Sequence, residues 1–362
     1  MTHFDLIVSG GSFAGLTAAR TAAARGLSVA VIERKHDVGE GVRTTGIVVK
    51  EAAEELDLPL DLVRKVRGVR LYPPSLRASD HARPGYYFLA TDTPGLLRWQ
   101  AGEAERAGAT LFLGTRFAGA EETASGVRLM GLDLSARFLI GADGANSAVA
   151  RSLGFGRNRR FLAGLEVELP PQPSVDGRFL HCFLDSALAP GYIAWVVPGP
   201  KVTQAGLACR HGVRPDLDRA MALFAKVFGW GAPPVLERRA GLIPCGGVLG
   251  HTYSDKAMLL GDAAGHCSPL TGGGIQLAWR LGRKAGQKVA EYLQDGGPSP
   301  GAEVAKAAPG YRLKGVMRRA ADLAPPNWMW DALIGNWAFR ALTARIYFHG
   351  PEGAGPRPLE GA

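Results

Sequence analysis

Residues 4–33 read FDLIVSGGSFAGLTAARTAAARGLSVAVIE, and three pieces of that stretch decide the fold. Phe4 to Val8 is an apolar run that ends at Gly10-Gly11, the pattern of a buried strand. An Ala-rich segment follows, with Ala14, Ala18 and Ala22 at i, i+4 and i+8. That stripe of small side chains lets a helix lie close to a sheet, and Gly26 is its expected C-cap. Leu27 to Ile32 is a second apolar run, closed by Glu33. The order is βαβ, which needs parallel strands and a right-handed crossover. A strand turning tightly into a helix offers free N–H groups and a positive dipole end to an anion, the arrangement that binds a nucleotide pyrophosphate. Gly10 serves the turn and Gly15 the close packing, while Ser12 replaces the middle glycine of G-x-G-x-x-G and brings a hydroxyl donor instead. Glu33 is placed to accept from a ribose hydroxyl.

The chain has 362 residues, 46% hydrophobic and 21% charged, enough for a sizeable core and two domains. That content excludes intrinsic disorder, and the glycines have no collagen-like period. Cys182, Cys209, Cys245 and Cys267 are scattered without a CxxC, so neither a zinc or other metal site nor a disulfide scaffold is expected. The start lacks a basic and then apolar leader, and no apolar run reaches spanning length; a cytoplasmic protein is expected. A net charge of +9 suits anionic lipid, an acidic partner or a phosphorylated substrate. Nucleic acid is not expected, because the basic residues form no long run and no nucleic-acid module is legible.

Further along, residues 51–66 read as a helix, 68–92 as strands, 95–107 as a helix and 109–117 as strand-like. Val127–Met130 and Arg137–Ala142 read as hairpin strands. Residues 160 to 251 read as mostly β, Ala257–Leu260 as a buried strand and 274–293 as a strong helix. The last sixty residues are helical in composition, and the tail after Gly350 is expected to fray.

Two more segments carry chemistry. One apolar strand ends in Asp143-Gly144, and another ends in Gly261-Asp262 and runs on through AAGHCSPLTGGGI to Ile275. With Gly10–Gly15, this set resembles the flavoprotein monooxygenase and reductase superfamily. Within it, Ile243-Pro244-Cys245-Gly246-Gly247, Thr252-Tyr253 and the 261–275 segment resemble the geranylgeranyl reductase family. Tyr192 and Ala194-Trp195-Val-Val-Pro198 are similar to its aromatic cavity strand, and Val38–Arg43 to its segment near the flavin. Thr44-Thr45 stand where that family often has Cys-Gly.

The resemblance implies an α/β protein: a Rossmann-like FAD-binding domain with a mostly parallel sheet, a second antiparallel β-sheet substrate domain, and C-terminal helices. Its expected bounds are 1–67, 93–157 and 252–298 for the FAD domain, 68–92 and 158–251 for the substrate domain, and 299–362 for the helices. FAD would touch Gly10, Gly11, Ser12, Phe13, Ala14, Gly15, Glu33, Arg34, Arg43, Thr44, Asp143, Gly144, Gly261, Asp262, Gly272, Gly273, Gly274 and Ile275. A helix opening at Gly272–Gly274 would aim its N–H groups at the negative charge of reduced flavin. The implied reaction is reduction of C=C bonds in a prenyl-type apolar or lipid substrate, with hydride from the flavin and electrons from NAD(P)H or reduced ferredoxin. Tyr192 and Trp195 are candidate cavity walls; Tyr192, His266, Cys267 and a bound water are the candidate proton donors. A flavin hydroxylase that inserts oxygen is the alternative activity, and an FAD-retaining non-catalytic binding protein a third reading. Between Lys306 and Arg345 basic residues outnumber acidic ones and alternate with Trp328, Trp330, Trp337 and Phe339, a composition suited to peripheral membrane contact.

Overall fold

A computed structural model of the protein describes residues 1–334 together with Asn336, Phe339, Ala341 and Phe348. Trp337, Arg345 and the tail after Gly350 lie outside the described residues. A seven-stranded sheet organises the first layer. Its parallel part runs in the order β8 (Thr110–Phe112), β2 (Val29–Ile32), β1 (Thr2–Ser9), β11 (Leu134–Gly141), β17 (Ala257–Leu259). The antiparallel strands β9 (Ala120–Thr123) and β10 (Gly126–Leu129) extend it from the start of β11. One face packs Leu6, Val8, Phe138, Ile140 and Met258 against α1 (Phe13–Ala23), α3 (Thr93–Arg106) and α6 (Ile275–Asp295). The opposite face packs Ile7, Ala30, Leu139 and Leu259 with Val149 of the short α4 (Ala148–Ser152). Near-continuous apolar strands are what a sheet buried on both faces requires.

The second layer is a sheet in the order β16 (Glu237–Pro244), β12 (Phe161–Leu169), β15 (Thr203–Arg210), β14 (Ala194–Pro198), β13 (Phe179–Phe183), β5 (Gly68–Tyr72), β6 (Ser79–Ala82). Its neighbours are antiparallel except β13 and β5. One face carries Val167, Phe183, Val196, Ala205 and Leu207, covered by α5 (Leu217–Phe228) through Leu217, Ala220, Phe224 and Phe228. This helix interrupts the region read as mostly β. Asp216 caps it by accepting from the Arg219 N–H, and Gly229 ends it in the left-handed conformation.

A small third sheet joins β3 (Ile47–Val49), β7 (Phe88–Thr91) and β4 (Val63–Val66), all antiparallel to β7. Here the expected helix over 51–66 is corrected: only α2 (Lys50–Ala53) is α-helical, followed by a 3-10 turn at Leu60–Leu62 and then β4. Pro59 cannot continue a helix, and the Val63 and Val66 ends of β4 pair with Thr91 and Phe88. The strand expected over 109–117 is only the three residues of β8. After α6 come α7 (Pro300–Ala307), α8 (Arg312–Asp322) and α9 (Asn327–Leu333).

Candidate active site

In the parallel sheet, Ser9 pairs with both Ile32 and Gly141, and Gly141 pairs with Leu259. The residues that follow, Gly10, Glu33, Asp143 and Asp262, therefore all emerge at one edge, the carboxyl end where open α/β sheets bind ligands. Gly10 has φ +111°, and a Cβ there would run into the Ala142 carbonyl; one on Gly15 would collide with the Gly10 carbonyl. Strand, turn and helix thus meet backbone to backbone. Ser12 is the N-cap of α1, but no side chain caps that end and no acid stands in its first turn. Its N–H groups face outward from a positive dipole end. Glu33 is anchored beside it, accepting from the Gly11 N–H at 2.8 Å and the Lys35 N–H at 3.0 Å. Arg34 next to it is exposed.

Asp143 spends one oxygen on α4, accepting from the Ala148 and Val149 N–H groups at 2.6 and 3.1 Å. Its other carboxyl oxygen is buried without a partner. Asn158 ties this turn to the next, its Nδ2 donating to the carbonyls of Ala145 and Asp262. The Asp262 carboxylate receives no hydrogen bond among the described residues, and desolvation lifts its pKa from 3.8 to about 6. It lies near Gly274, where a Cβ would stand 3.5 Å from Oδ1. Gly274 is the N-cap of α6, again with no capping side chain and no first-turn acid. Two helices therefore open, uncapped, toward the same edge. They run parallel and unusually close: a Cβ on Gly282 would press on the Ala14 carbonyl at 2.8 Å, and one on Gly286 would collide with that of Ala18. Since Gly282 lies opposite Ala14, the start of α6 stands about 10 Å beyond that of α1.

Across from this edge lies the bare face of the second sheet. Ile243, Leu162 and Ala208, with Tyr192, Trp195 and Cys245, form an apolar cluster on it. Gly164 pairs with Gly241 and Ala208, and Trp195 with Gly206, so these strands carry little bulk of their own there; the Trp195 ring lies over Gly206, Arg43 over Gly241, and Glu166 and Arg239 share the same face in the next row. The Tyr192 hydroxyl donates to the Thr271 carbonyl at 2.6 Å, docking the sheet on the glycine loop. Gly272 there has φ +65°, and a Cβ on it would stand 2.8 Å from the Tyr192 oxygen. Burial raises the Tyr192 pKa. His266 is buried with Nδ1 unpartnered, and desolvation lowers its pKa to about 4, so its ring is neutral near pH 7. Cys267 is buried and its thiol pKa is raised well above 9.0, so it is no thiolate. The loop with Arg43 and Thr44 lies on the same face, Arg43 Cβ being 3.4 Å from a Cβ built on Gly241. Arg43 is exposed, and Thr44 is partly buried.

Sequence reading missed one group here. Glu166 is buried on β12, its Oε2 accepting from Thr45 Oγ1 at 2.5 Å and from Trp195 Nε1 at 2.8 Å. Arg239 stands opposite, 3.8 Å from Glu166 and 2.6 and 2.8 Å from Glu168 and Glu237. The signal was available: carboxylates at alternate positions 166 and 168 share one face of an otherwise apolar strand.

A parallel sheet with anion-ready helix starts at one edge, docked against an apolar sheet, defines a dinucleotide-dependent oxidoreductase architecture. Sequence comparison agrees. The family described as FAD binding domain matches residues 95–302, and the NAD(P)-binding Rossmann-like domain matches residues 8–67. The chain is 30% identical to the digeranylgeranylglycerophospholipid reductase of Methanothrix thermoacetophila, over 81% of this chain and 79% of that one. It is 29% identical to the protein of that name from Methanosarcina acetivorans, over 81% and 76%. In structure it is similar to a geranylgeranyl bacteriochlorophyll reductase-like protein from Thermoplasma acidophilum, with TM-score 0.83, 21% identity and coverage of 96% and 97%. It also shares its fold with a probable FAD-dependent monooxygenase, pqsL of Pseudomonas aeruginosa, with TM-score 0.69, 18% identity and coverage of 92% and 100%. The chain belongs to the geranylgeranyl reductase family of FAD-dependent oxidoreductases. The residues fit that cofactor: the uncapped N-termini suit its charged oxygens, and the unpartnered Asp262 carboxylate suits a hydroxyl donor.

Proposed function

We propose that the protein reduces isolated C=C bonds in the prenyl chain of an apolar, lipid-type substrate. The observation that carries this reading is the glycine-lined face of the second sheet, walled by Tyr192 and Trp195 and docked on the Thr271–Gly274 loop. Between the Trp195 ring over Gly206 and Arg43 over Gly241, Gly164 and Ala208 add no bulk of their own, which suits an apolar chain threaded between those walls. The names of the relatives support the same substrate class. FAD, when bound, supplies the hydride. Gly10, Gly11, Ser12, Phe13, Ala14 and Gly15 hold its diphosphate, Glu33 and Arg34 its adenosine half, and Asp143, Gly144, Gly261 and Asp262 the chain between. Arg43, Thr44 and Gly272, Gly273, Gly274 and Ile275 border the ring. Tyr192, His266 and Cys267 stand near the reacting end; near pH 7 the His266 ring is neutral and no imidazolium donor, while the Cys267 thiol keeps its proton. Electrons come from NAD(P)H in a surface groove or from reduced ferredoxin steered by the net charge of +9.

Delivery of a lipid needs a surface, and α8 provides one. Leu313, Val316, Ala320 and Leu323 follow helical spacing and all face outward, Leu313 and Leu323 being 74% and 81% exposed. Arg312 and Arg319 flank this stripe, and Trp328 is exposed beyond it. An outward apolar stripe with basic flanks suits the interface of an anionic bilayer. Among the described residues no helix is long and apolar enough to cross a membrane.

The test is mass spectrometry of prenyl lipids incubated with the purified, chemically reduced protein. Products heavier by pairs of hydrogens establish the proposed reaction. Products that gain oxygen in air make the protein a hydroxylase, and unchanged lipids with every donor leave only a binding protein.

A further inference from the structure

The buried carboxyl on β12 is not among the residues proposed to hold FAD, and its setting is specific. Oε2 of Glu166 accepts from the Trp195 indole N–H at 2.8 Å and lies 2.5 Å from Thr45 Oγ1; with the carboxylate ionised the Thr45 hydroxyl donates across that contact, and with the carboxyl protonated the bond reverses and Glu166 donates to Thr45 Oγ1. Thr45 belongs to the loop that lies over the glycine-lined face, and Thr91 fixes that loop: its N–H and hydroxyl both donate to the Gly46 carbonyl. Behind Glu166, three carboxylates share one guanidinium, since Arg239 contacts Glu166, Glu168 and Glu237. Arg239 is itself buried, and its Nη1, the nitrogen nearest Glu166, makes no hydrogen bond. Glu237 reaches solvent, but Glu166 and Glu168 are both withdrawn from it, and one guanidinium cannot neutralise two such carboxylates and share itself with a third, so the inner pair favours holding a proton. Burial pushes the pKa of both Glu166 and Glu168 upward; for Glu166 the hydrogen bonds from Thr45 and Trp195, and then Arg239, work against the shift, and for Glu168 Arg239 does.

We propose that Glu166 is the proton store for the reduction and passes its proton to the substrate through the Thr45 hydroxyl. This rests on the reading of the protein as an alkene reductase. Saturating a C=C bond forms two C–H bonds. One carbon takes a hydride with its electron pair from the reduced cofactor; the other takes the proton of Thr45 Oγ1, and Thr45 takes the proton of Glu166. The carboxylate left behind is held by Trp195 Nε1–H and faces Arg239 Nη1, until solvent returns the proton. Glu166 acts through Thr45 and is therefore a positioning residue; Thr45 is the catalytic one. The charged groups facing Glu166 are Glu168 from its own strand and Arg239 from β16, which Glu237 also contacts.

Two readouts test this. The first is the infrared carboxyl stretch of the cofactor-free protein at pH 7. A protonated-carboxyl band is expected that disappears in Glu166→Gln, and a spectrum unchanged by the substitution overturns the proposal. This arm needs no substrate, so it stands apart from failure of the reductase reading. The second is single-turnover reoxidation of the chemically reduced enzyme by a prenyl lipid in H2O and D2O. Glu166→Gln and Thr45→Val are expected to slow it about 100-fold, the scale of general acid catalysis. Glu166→Asp and Thr45→Ser are expected to recover part of the rate with the solvent isotope effect. If Glu166→Gln reoxidises within threefold of the parent with the same isotope effect and pH profile, the carboxyl merely anchors the loop. A parent enzyme that saturates no lipid at all overturns the reductase reading instead.

Discussion

Single atoms decide the cofactor edge. A methyl group on Gly15 has nowhere to go, because the Gly10 carbonyl oxygen already occupies its place. Gly15→Ala is expected to cost about 1–3 kcal/mol of stability and to yield protein with little flavin, read from denaturation midpoints and the flavin absorbance of the pure protein. Asp262 makes the opposite bargain. Its carboxyl titrates near 3.8 in the unfolded chain and near 6 in the cofactor-free fold. The folded state therefore binds the extra proton between those values, and stability falls as pH rises through that window. Asp262→Asn is expected to match the parent in melting temperature below about pH 4 and to exceed it above about pH 6. The same change is expected to weaken FAD binding by about 10- to 100-fold through loss of a charged acceptor. Melting curves without cofactor and flavin titrations with it check the two halves. A variant no more stable than the parent at pH 7 would mean that ionised Asp262 is not a burden on the cofactor-free fold.

Elements were legible in proportion to how much of their reason is local. The βαβ start, the Asp-Gly and Gly-Asp strand ends and the long α6 follow from apolar runs and glycines within a few residues, and each stands where expected. Residues 51–66 looked helical because their composition is, yet β4 exists only because β7 lies beside it, and that pairing is not written in the segment itself. Conversely, α5 was readable from Asp216 and Gly229 at its ends but was hidden by the β-rich region around it. The Glu166 cluster needed pairing as well, since Arg239 meets Glu166 only across the β12–β16 register. The fastening of α8 was also invisible in the sequence. Arg318 is 1% exposed, donates to the Gly191 carbonyl and pairs with Asp322 at 2.9 Å, while Arg160 and Arg210 hold the Asp322 end. Arg318→Ala is expected to cost about 1–3 kcal/mol by leaving that carbonyl unpaired. Hydrogen exchange is expected to quicken in α8 and at the Tyr192 turn, while β1 and β11 stay protected.

At the scale of the whole molecule two surfaces stand out, the carboxyl edge of the parallel sheet and the outward apolar stripe of α8. If α8 meets lipid, the parent protein is expected to sediment with vesicles rich in anionic lipid, less so as salt rises. Leu313→Glu with Val316→Glu is expected to abolish that sedimentation while leaving flavin content unchanged. Equal binding to neutral vesicles would instead point to apolar insertion without charge. The closeness of α1 and α6 has a consequence for biosynthesis. Gly282 and Gly286 press on helix α1 from the far end of the sequence, and Asp262 joins Gly10 and Gly15 only through β17, the last strand of the parallel sheet. A growing chain thus displays the Gly10–Gly15 turn long before β17 and α6 can close the edge beside it. Flavin can be captured only once most of the polypeptide has left the ribosome, and a truncated chain would leave an unfinished, sticky sheet edge and no colour.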